Sequence, residues 1–508
     1  MTRLLVLPFV VVLLDVMLRV LQHGDFLNHD VAMYAQCAQL ILSGKVPYVD
    51  FVDINFPANF YVFLLPVWLD TWMHLSLTVM VNEFVWLLLV ASLILCYCVI
   101  RQKVEIADVP LLTAVLFGFT VLNLPLFFHF GQREHLFVLA FMPFFLTRWL
   151  RYEGKQIGLI LPVITGATAG LGASLKPPYF LVFLILIELF WLVRTKRLCL
   201  LTPEIISCAI TLLLLLLSFL SFTLPADAFL HRWIPLTLEG SGAFACPLKN
   251  LFLFAVPWSP AGVTIFMVAG ICACAFFTRK KHSLVGPLLA WTGAGYLIYL
   301  LQQKGWDYHS IVMTAGYFML ANLILMLAVQ KLIAARMFVW LNTWAKPPVL
   351  QLILYLTGVF AFSPLLVRDS FSMEATDLRL NNLFAAYAKK GDRIFVVSGH
   401  VYPQYPCLAQ MSLLPASRYI FTYPINMYHW LIIKERAPLQ KTAYGAAQHY
   451  VVQEICKDIK TNQPKIIAVA GEDLQEWADL YQGGFKYLLN DYRPLGIWNG
   501  NQVWLQCR

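Results

Sequence analysis

The chain has 508 residues, of which 60% are hydrophobic and only 13% charged, a composition that excludes an ordinary soluble globular protein and defines a polytopic membrane protein. That length supplies roughly ten helical spans of about 20 residues each and leaves enough for one modest soluble domain. The formal net charge of +9 is explained by loop lysines and arginines on the cytoplasmic side of a membrane, so no nucleic-acid partner is read from it.

In chain order, apolar runs fall near residues 4–22, 75–100, 107–128, 134–150, 157–175, 178–194, 201–224, 255–277, 283–302, 309–330 and 347–367, which predicts about eleven spans. The first run follows Arg3, but the sequence LQHGDF after it offers no A-x-A-like cleavage site, so an uncleaved first helix is expected. Basic residues cluster in alternate connections: Arg3; Arg101 and Lys103; Arg148, Arg151 and Lys155; Arg194, Lys196 and Arg197; Arg279, Lys280 and Lys281; Lys331, Arg336 and Lys346. These connections are expected to be cytoplasmic. The connections Asn28–Tyr61, Gly131–His135, Lys176–Pro178, Pro225–Val256 and Gln302–His309 then lie outside, and with an odd number of spans so does the tail from Arg368.

Within the first outer loop, residues 23–73, a helix is expected over Val31–Ser43 with Gly44 stopping it. The stretch KVPYVDFVDINFP is held extended by its prolines, and Ala58–Leu69 resumes an apolar pattern, giving two helices along the membrane surface. Asp30 stands at the head of the first helix, where the helix dipole favours a carboxylate; it reads either as an N-cap or as a functional acid. Asp50 and Asp53 read as turn residues or as ligand contacts. A D-x-x-D pair without further oxygen donors is a weak cation signal, and no metal and no other cofactor is expected.

The other outer connections are short yet ionisable. HFGQREHLF supplies Arg133, Glu134 and His135, GASLKPPYF supplies Lys176, and QQKGWDYHS supplies Lys304, Asp307, Tyr308 and His309. Cations held by Gly and Pro at span ends, on the side otherwise poor in them, suit an anionic ligand; the competing reading is a set of snorkelling side chains. Tyr48, Phe51, Tyr61, Trp306 and Tyr308 read as sugar or prenyl contacts or as an interfacial aromatic belt. Asp15 and Arg19, one turn apart in the first span, are expected to pair within the helix, and Glu83 and Glu188 call for partners inside the bundle as well.

Beyond 368 the chain changes character. DRIFVVSG, PKIIAVAG and NQVWLQC have strand patterns, while ATDLRLNNLFAAYAKK, YGAAQHYVVQEICKDIK and EDLQEWADLYQ are helical. A small α/β domain over 368–508 is expected on the outer side, after a membrane domain over 1–367. It carries no phosphate loop and no G-x-S-x-G. Most of the eleven cysteines sit singly in apolar runs and read as small buried hydrophobes. Cys246, Cys407, Cys456 and Cys507 would face an oxidising space, and no pairing is assigned.

A first span followed by a loop of pattern HD…Y…A…G…PY.DF.D…P between His29 and Pro57, then many spans and a soluble tail, resembles the membrane glycosyltransferases of the GT-C class. It is most similar to the branch of protein O-mannosyltransferases and lipid A aminoarabinose transferases, with looser echoes in GQREH, LKPPY and KGWDYH. This chain has Val31 where the family often has Glu after the Asp. The resemblance implies an all-α polytopic bundle of GT-C type with Asp30 as catalytic base. It also implies transfer, with inversion, of a sugar from a polyprenyl-phosphate-sugar donor to a lipid, glycan or protein acceptor on the outer face. Such a protein is expected among the lipids of a bacterial inner membrane. Asp50, Asp53, Arg133, Glu134, Lys176, Lys304, Tyr308 and His309 are then the expected substrate contacts. A transporter or flippase of an anionic lipid is the alternative, and a non-catalytic scaffold a third reading. A transporter is expected to place ionisable groups near the bilayer midplane in paired halves, whereas here they gather at span ends.

Overall fold

The computed structural model describes residues 7–23, 27–73, 76–103, 109–123, 126, 129–219, 226–228, 231, 234–253, 284–334, 379–435, 443–469, 474–498 and 501–506. The apolar runs 255–277 and 347–367, and the expected domain boundary at 367/368, lie outside them. Ten helices come first in the chain: α1 (Leu7–His23), α2 (His29–Leu42), α3 (Ala58–Tyr61), α4 (Leu64–Met73), α5 (Leu77–Lys103), α6 (Val109–Val121), α7 (Arg133–Tyr152), α8 (Ile160–Ser174), α9 (Pro177–Thr195) and α10 (Pro203–Ser218). Two compact units result, one of Met1–Gly24, Phe84–Leu214 and Cys246–Glu374, the other of Asp25–Glu83, Leu215–Ala245 and Ala375–Arg508.

The described residues of the first unit form helices joined by turns and short loops, with no strand among them. Three helical stretches, Leu77–Gln102, Pro177–Thr195 and Asp307–Lys331, are long and apolar enough to cross a bilayer. Large apolar side chains on α9 and α10, such as Ile185, Val193, Leu213 and Leu214, stand exposed, as a lipid-facing surface requires. This is an integral membrane protein. Its bundle packs through small residues: α6 meets the helix Ile311–Ala334 at Gly118, where a Cβ would lie 2.5 Å from the Phe318 carbonyl oxygen. Val285–Gln302 meets that same helix at Gly295, where a Cβ would lie 2.6 Å from Met313 Cα.

Helix α7 runs through the centre of this unit and is buried along nearly its whole length. Its Pro143 has no N–H for the Leu139 carbonyl, and Ser92 of α5 donates to that oxygen at 2.7 Å instead. Phe137, Phe141 and Phe145 pack with Phe180, Phe183 and Trp291, the Phe137 and Phe180 rings stacking at 4.0 Å. Asp15 of α1 is buried and accepts a hydrogen bond from Trp86 Nε1 of α5 at 3.2 Å, so its acid is held across helices. The Arg19 side chain lies outside the described residues.

Arg148 corrects the sequence reading. Read as a loop cation that orients the chain, it sits inside α7 with no exposed surface. Its Nε and Nη2 fork onto Glu188 of α9 at 2.8 and 2.5 Å, and its Nη1 reaches Glu204 of α10 and the Thr202 hydroxyl, each at 2.9 Å. Nη2 also donates to Tyr152 and to the Cys199 carbonyl, and Arg151 forks onto Glu204 at 2.7 and 2.8 Å. A charge withdrawn from water needs this many partners, and here they staple three helices together.

The second unit holds α2–α4, the helix Ile234–Ala243 and the sheet region. The sheet order is β2 (Leu414–Pro415), β1 (Arg393–Val397), β3 (Ile466–Val469), β5 (Asn501–Gln506), β4 (Tyr492–Trp498), with β2, β1 and β3 parallel and the β5–β4 edge antiparallel. β1 and β3 are almost wholly buried and read as continuous apolar runs, as parallel strands covered on both faces do. The strands around Phe395, Ile467 and Trp504 match the sequence expectation, as do the helices Arg379–Tyr387, Ala443–Asn462 and Leu474–Leu480. The edge strands β2 and β4 and the helix Tyr423–Glu435 were not read from sequence. Helix α2 is buried from Asp30 to Ala38 and packs on α3, α4 and the turn of helix Cys407–Gln410. Gln36 fixes that packing by accepting from the Tyr405 hydroxyl and donating to the Leu413 carbonyl. Helix α2 is thus covered by its own unit from Asp30 to Ala38, while Leu42 at its end is exposed.

Replacing Arg148 by Met leaves Glu188 without its fork and Glu204 with Arg151 alone, which is expected to cost about 3–5 kcal/mol. Arg151→Ala, at a side chain 21% exposed, is expected to cost much less. Thermal unfolding of the purified protein in detergent checks this, and equal melting temperatures for the two variants would contradict it.

Candidate functional site

The cations predicted from the outer connections converge in the first unit. Three chain reversals bring them together. Gly131, in the left-handed region at φ +81°, turns the chain into α7 so that Arg133 and Glu134 open that helix. Pro177 and Pro178 start α9 directly after Lys176, with φ fixed where a helix begins. Gln303 and Gly305, both at positive φ, end the helix Val285–Gln302 and lead into the 3-10 turn Asp307–Ser310. Two helix N-termini therefore bring partial positive charge to the place where the cations stand.

Lys176 is the hub. Its Nζ donates to Glu134 Oε1 at 2.8 Å, contacts His309 Nε2 at 3.0 Å and donates to Gln302 Oε1. Glu134, Gln302 and His309 are 0%, 2% and 2% exposed. The Arg133 Nε lies 3.9 Å from Glu134 Oε2, its Nη2 donates to the Tyr308 hydroxyl at 3.4 Å, and its guanidinium stands 5.6 Å from that ring. Lys176 lies 5.3 Å from the Tyr179 ring and 5.9 Å from the Tyr308 ring, and Tyr308 meets His309 edge-on at 4.5 Å. Lys304 is half-buried over Trp306, and His129 faces Tyr308 at 6.0 Å. Asp307 is exposed. His135 serves the turn itself: its Nδ1 accepts from the Gly131 amide and its Nε2 lies 2.8 Å from Asn123 Oδ1.

The acidic residues belong to the second unit. Asp30 is not the cap of α2: Asn28 is, its Oδ1 accepting from the Asp30 and Val31 amides at 2.9 and 3.2 Å. Asp30 is 7% exposed, and its Oδ1 lies 3.6 Å from His29 Nε2. Asp50 is exposed and accepts from the Val46 amide at 2.8 Å, closing its own turn. Asp53 is buried, and its Oδ1 accepts from the backbone and side-chain nitrogens of Asn55, both at 2.6 Å. Tyr48, held at φ +63°, donates through its hydroxyl to the Asn55 carbonyl and fixes the far side of the same loop. Burial, and then the nearby Asp53 carboxylate, hold the Tyr48 phenol and the Cys37 thiol well above their ordinary ranges, which makes Cys37 an inert core residue. The loop docks within its unit through the Val52 amide, which donates to the Arg418 carbonyl at 2.7 Å. Arg418 is itself clamped by Asp458 and Glu454.

Gln302, Tyr179 and His129 were missed as site residues. The only sequence signal for Gln302 was a pair of amides, Gln302 and Gln303, at a span end. Among the described residues no group of three or more His, Cys, Asp and Glu is arranged to hold a metal ion.

These features define an integral membrane protein with a helical bundle and a five-stranded sheet. The chain superposes on ArnT from Cupriavidus metallidurans, whose crystal structure was solved with undecaprenyl phosphate bound, at a TM-score of 0.55 with 12% identity, over 99% of this chain and 97% of that one. The chain therefore shares the fold of that protein. No protein-family model matches the sequence, and no curated protein matches it.

Asp53→Ala removes the acceptor of two partly buried hydrogen bonds and is expected to loosen the loop 46–57 by about 1 kcal/mol. Hydrogen exchange of the loop amides should speed up while the β1 and β3 amides stay protected. Unchanged exchange of the Asn55 amide would contradict the assignment.

Proposed function

We propose that this chain is a membrane glycosyltransferase that moves a sugar from a polyprenyl-phosphate donor to an acceptor hydroxyl on the extracytoplasmic face, with inversion at the anomeric carbon. One observation carries the proposal: Arg133 and Lys176 gather with His309 and Gln302 at two helix N-termini, with Lys304 beside the Trp306 ring that meets His309, in a chain with the fold of a protein solved with undecaprenyl phosphate. In this reading about eleven spans cross a bacterial inner membrane, and residues 368–508 lie outside.

The chemistry asks little of the protein beyond position and charge. A polyprenyl phosphate leaves as an anion and needs no proton, so one carboxylate suffices where a glycosidase needs two. Asp30 takes the proton of the attacking hydroxyl as its oxygen bonds to the anomeric carbon. The bond from that carbon to the phosphate oxygen breaks, and the electron pair departs with the phosphate. Arg133 and Lys304 supply net positive charge for that developing anion, because the charge of Lys176 is largely matched by Glu134. Asp50 and Asp53 shape the loop that carries the acceptor, and Tyr308 packs beside the sugar or lipid.

Two variants test this. Asp30→Asn keeps Asn28 as cap, so it is expected to fold as wild type and to lose transfer of labelled sugar from a polyprenyl-phosphate-sugar; wild-type transfer in that variant would remove Asp30 from the role of base. Arg133→Ala is expected to raise the Kd for a polyprenyl phosphate about tenfold, the cost of a lost charge-assisted hydrogen bond. An unchanged titration curve would reduce the cluster to an interfacial anchor. Tight binding of the donor by the wild-type protein with no transfer to any acceptor would favour the flippase reading instead.

A further inference from the structure

The hydrogen-bond arithmetic at Lys176 leads to an inference that rests on the phosphate-donor reading of the same site and changes who touches the phosphate. A lysine ammonium has three protons and accepts nothing. Lys176 Nζ has three acceptors within the protein: Glu134 Oε1 at 2.8 Å, Gln302 Oε1, and His309 Nε2 at 3.0 Å. Its protons are all engaged.

Those contacts dictate what the neighbours present. Because Lys176 only donates, His309 Nε2 must carry a lone pair, so the imidazole is neutral and its proton sits on Nδ1. For the same reason the oxygen of the Gln302 amide faces Lys176 and the NH2 group faces away. His309 Nδ1 and Gln302 Nε2 are both buried, and neither has a hydrogen-bond partner among the described residues. Two buried donors without acceptors are costly unless a ligand completes them. Glu134 Oε2 is also unpartnered by a hydrogen bond, but it is an acceptor and cannot hold an anion.

We infer that Lys176 is a positioning residue, and that His309 Nδ1–H and Gln302 Nε2–H are the donors that hold an anionic phosphoryl oxygen of the lipid donor. The ammonium sets the tautomer of one and the amide orientation of the other, and its charge strengthens both donors without a direct contact to the ligand.

The test has two arms, both on the full chain in lipid nanodiscs. The first is ligand-free: 15N NMR of histidine-labelled protein, with the His309 signal assigned from its loss in His309→Asn. The Nδ1–H tautomer is expected in wild type and its loss in Lys176→Met. An Nε2–H tautomer in wild type, or no change in Lys176→Met, overturns the inference whatever the ligand is. The second arm titrates a short-chain polyprenyl phosphate. An Asn side chain places an N–H near the Nδ1 position of His, whereas Gln places its end group near Nε2, where its carbonyl can still accept from Lys176. His309→Gln is therefore expected to weaken binding about tenfold, with His309→Asn recovering most of that loss. The reverse order would make Lys176 the direct ligand and overturn the inference. Failure of the wild-type protein to bind the polyprenyl phosphate at all would overturn the donor reading and the phosphoryl assignment together, leaving the tautomer result to judge the positioning role.

Discussion

A charge taken out of water must find a full set of partners, and the bundle of this protein is arranged around meeting that demand at both ends of one helix. Helix α7 begins at Arg133 and Glu134 and carries Arg148 and Arg151 in its last turns; by helix geometry the two groups stand roughly 22 Å apart along the axis. At the Arg148 end the demand is met in full, by Glu188, Glu204, Thr202, Tyr152 and a backbone carbonyl. At the Lys176 end it is met for the ammonium but not for the imidazole and amide that face it. The first arrangement is a closed staple with nothing left over for a ligand. The second leaves buried donors over, and only an arrangement of that kind has something to gain from binding.

The same contrast explains why the backbone between the two ends is so tightly specified. Pro143 breaks the hydrogen-bond ladder midway along α7, where both it and Leu139 are buried, and Ser92 supplies the missing donor. The phenylalanines of α7 interlock with α9 and Trp291, so Lys176 at the head of α9 is positioned by the packing that positions Arg133 at the head of α7.

Much of this was legible in the sequence, because its determinants are local. Three spans announce themselves by apolar length, and Gly131, Pro177, Pro178 and Gly305 mark the turns that place ionisable residues at helix ends. The strands around Phe395 and Ile467 were legible for the same reason, as short buried apolar runs. What was not legible depends on partners distant in the chain. Arg148 has the sequence appearance of a loop cation, and only Glu188 and Glu204, 40 and 56 residues away, make it a core residue. Helix α2 has too small an apolar stripe to predict burial on every side; Tyr405 and Leu413, more than 360 residues further on, enclose it. Strand β4 carries Pro494 and Gly496 and looks like a loop until β5 pairs with it across a bulge.

The acidic loop shows how residue type and role separate under the same constraint. Asp30, Asp50 and Asp53 are chemically alike and lie within 24 positions of one another, yet their surroundings assign them different work. Asp50 spends one carboxylate oxygen on the Val46 amide at the surface. Asp53 spends one on two nitrogens of Asn55 in the interior. Asp30 stands where an acid would ordinarily be consumed as a cap, but Asn28 has taken that duty with an uncharged side chain. Placing the amide two residues upstream keeps the capping bonds independent of the protonation state of Asp30. Had Asp30 itself been the cap, protonation would weaken its acceptor oxygen and loosen the first turn of α2; with Asn28 as the acceptor, that turn does not depend on the charge of the acid.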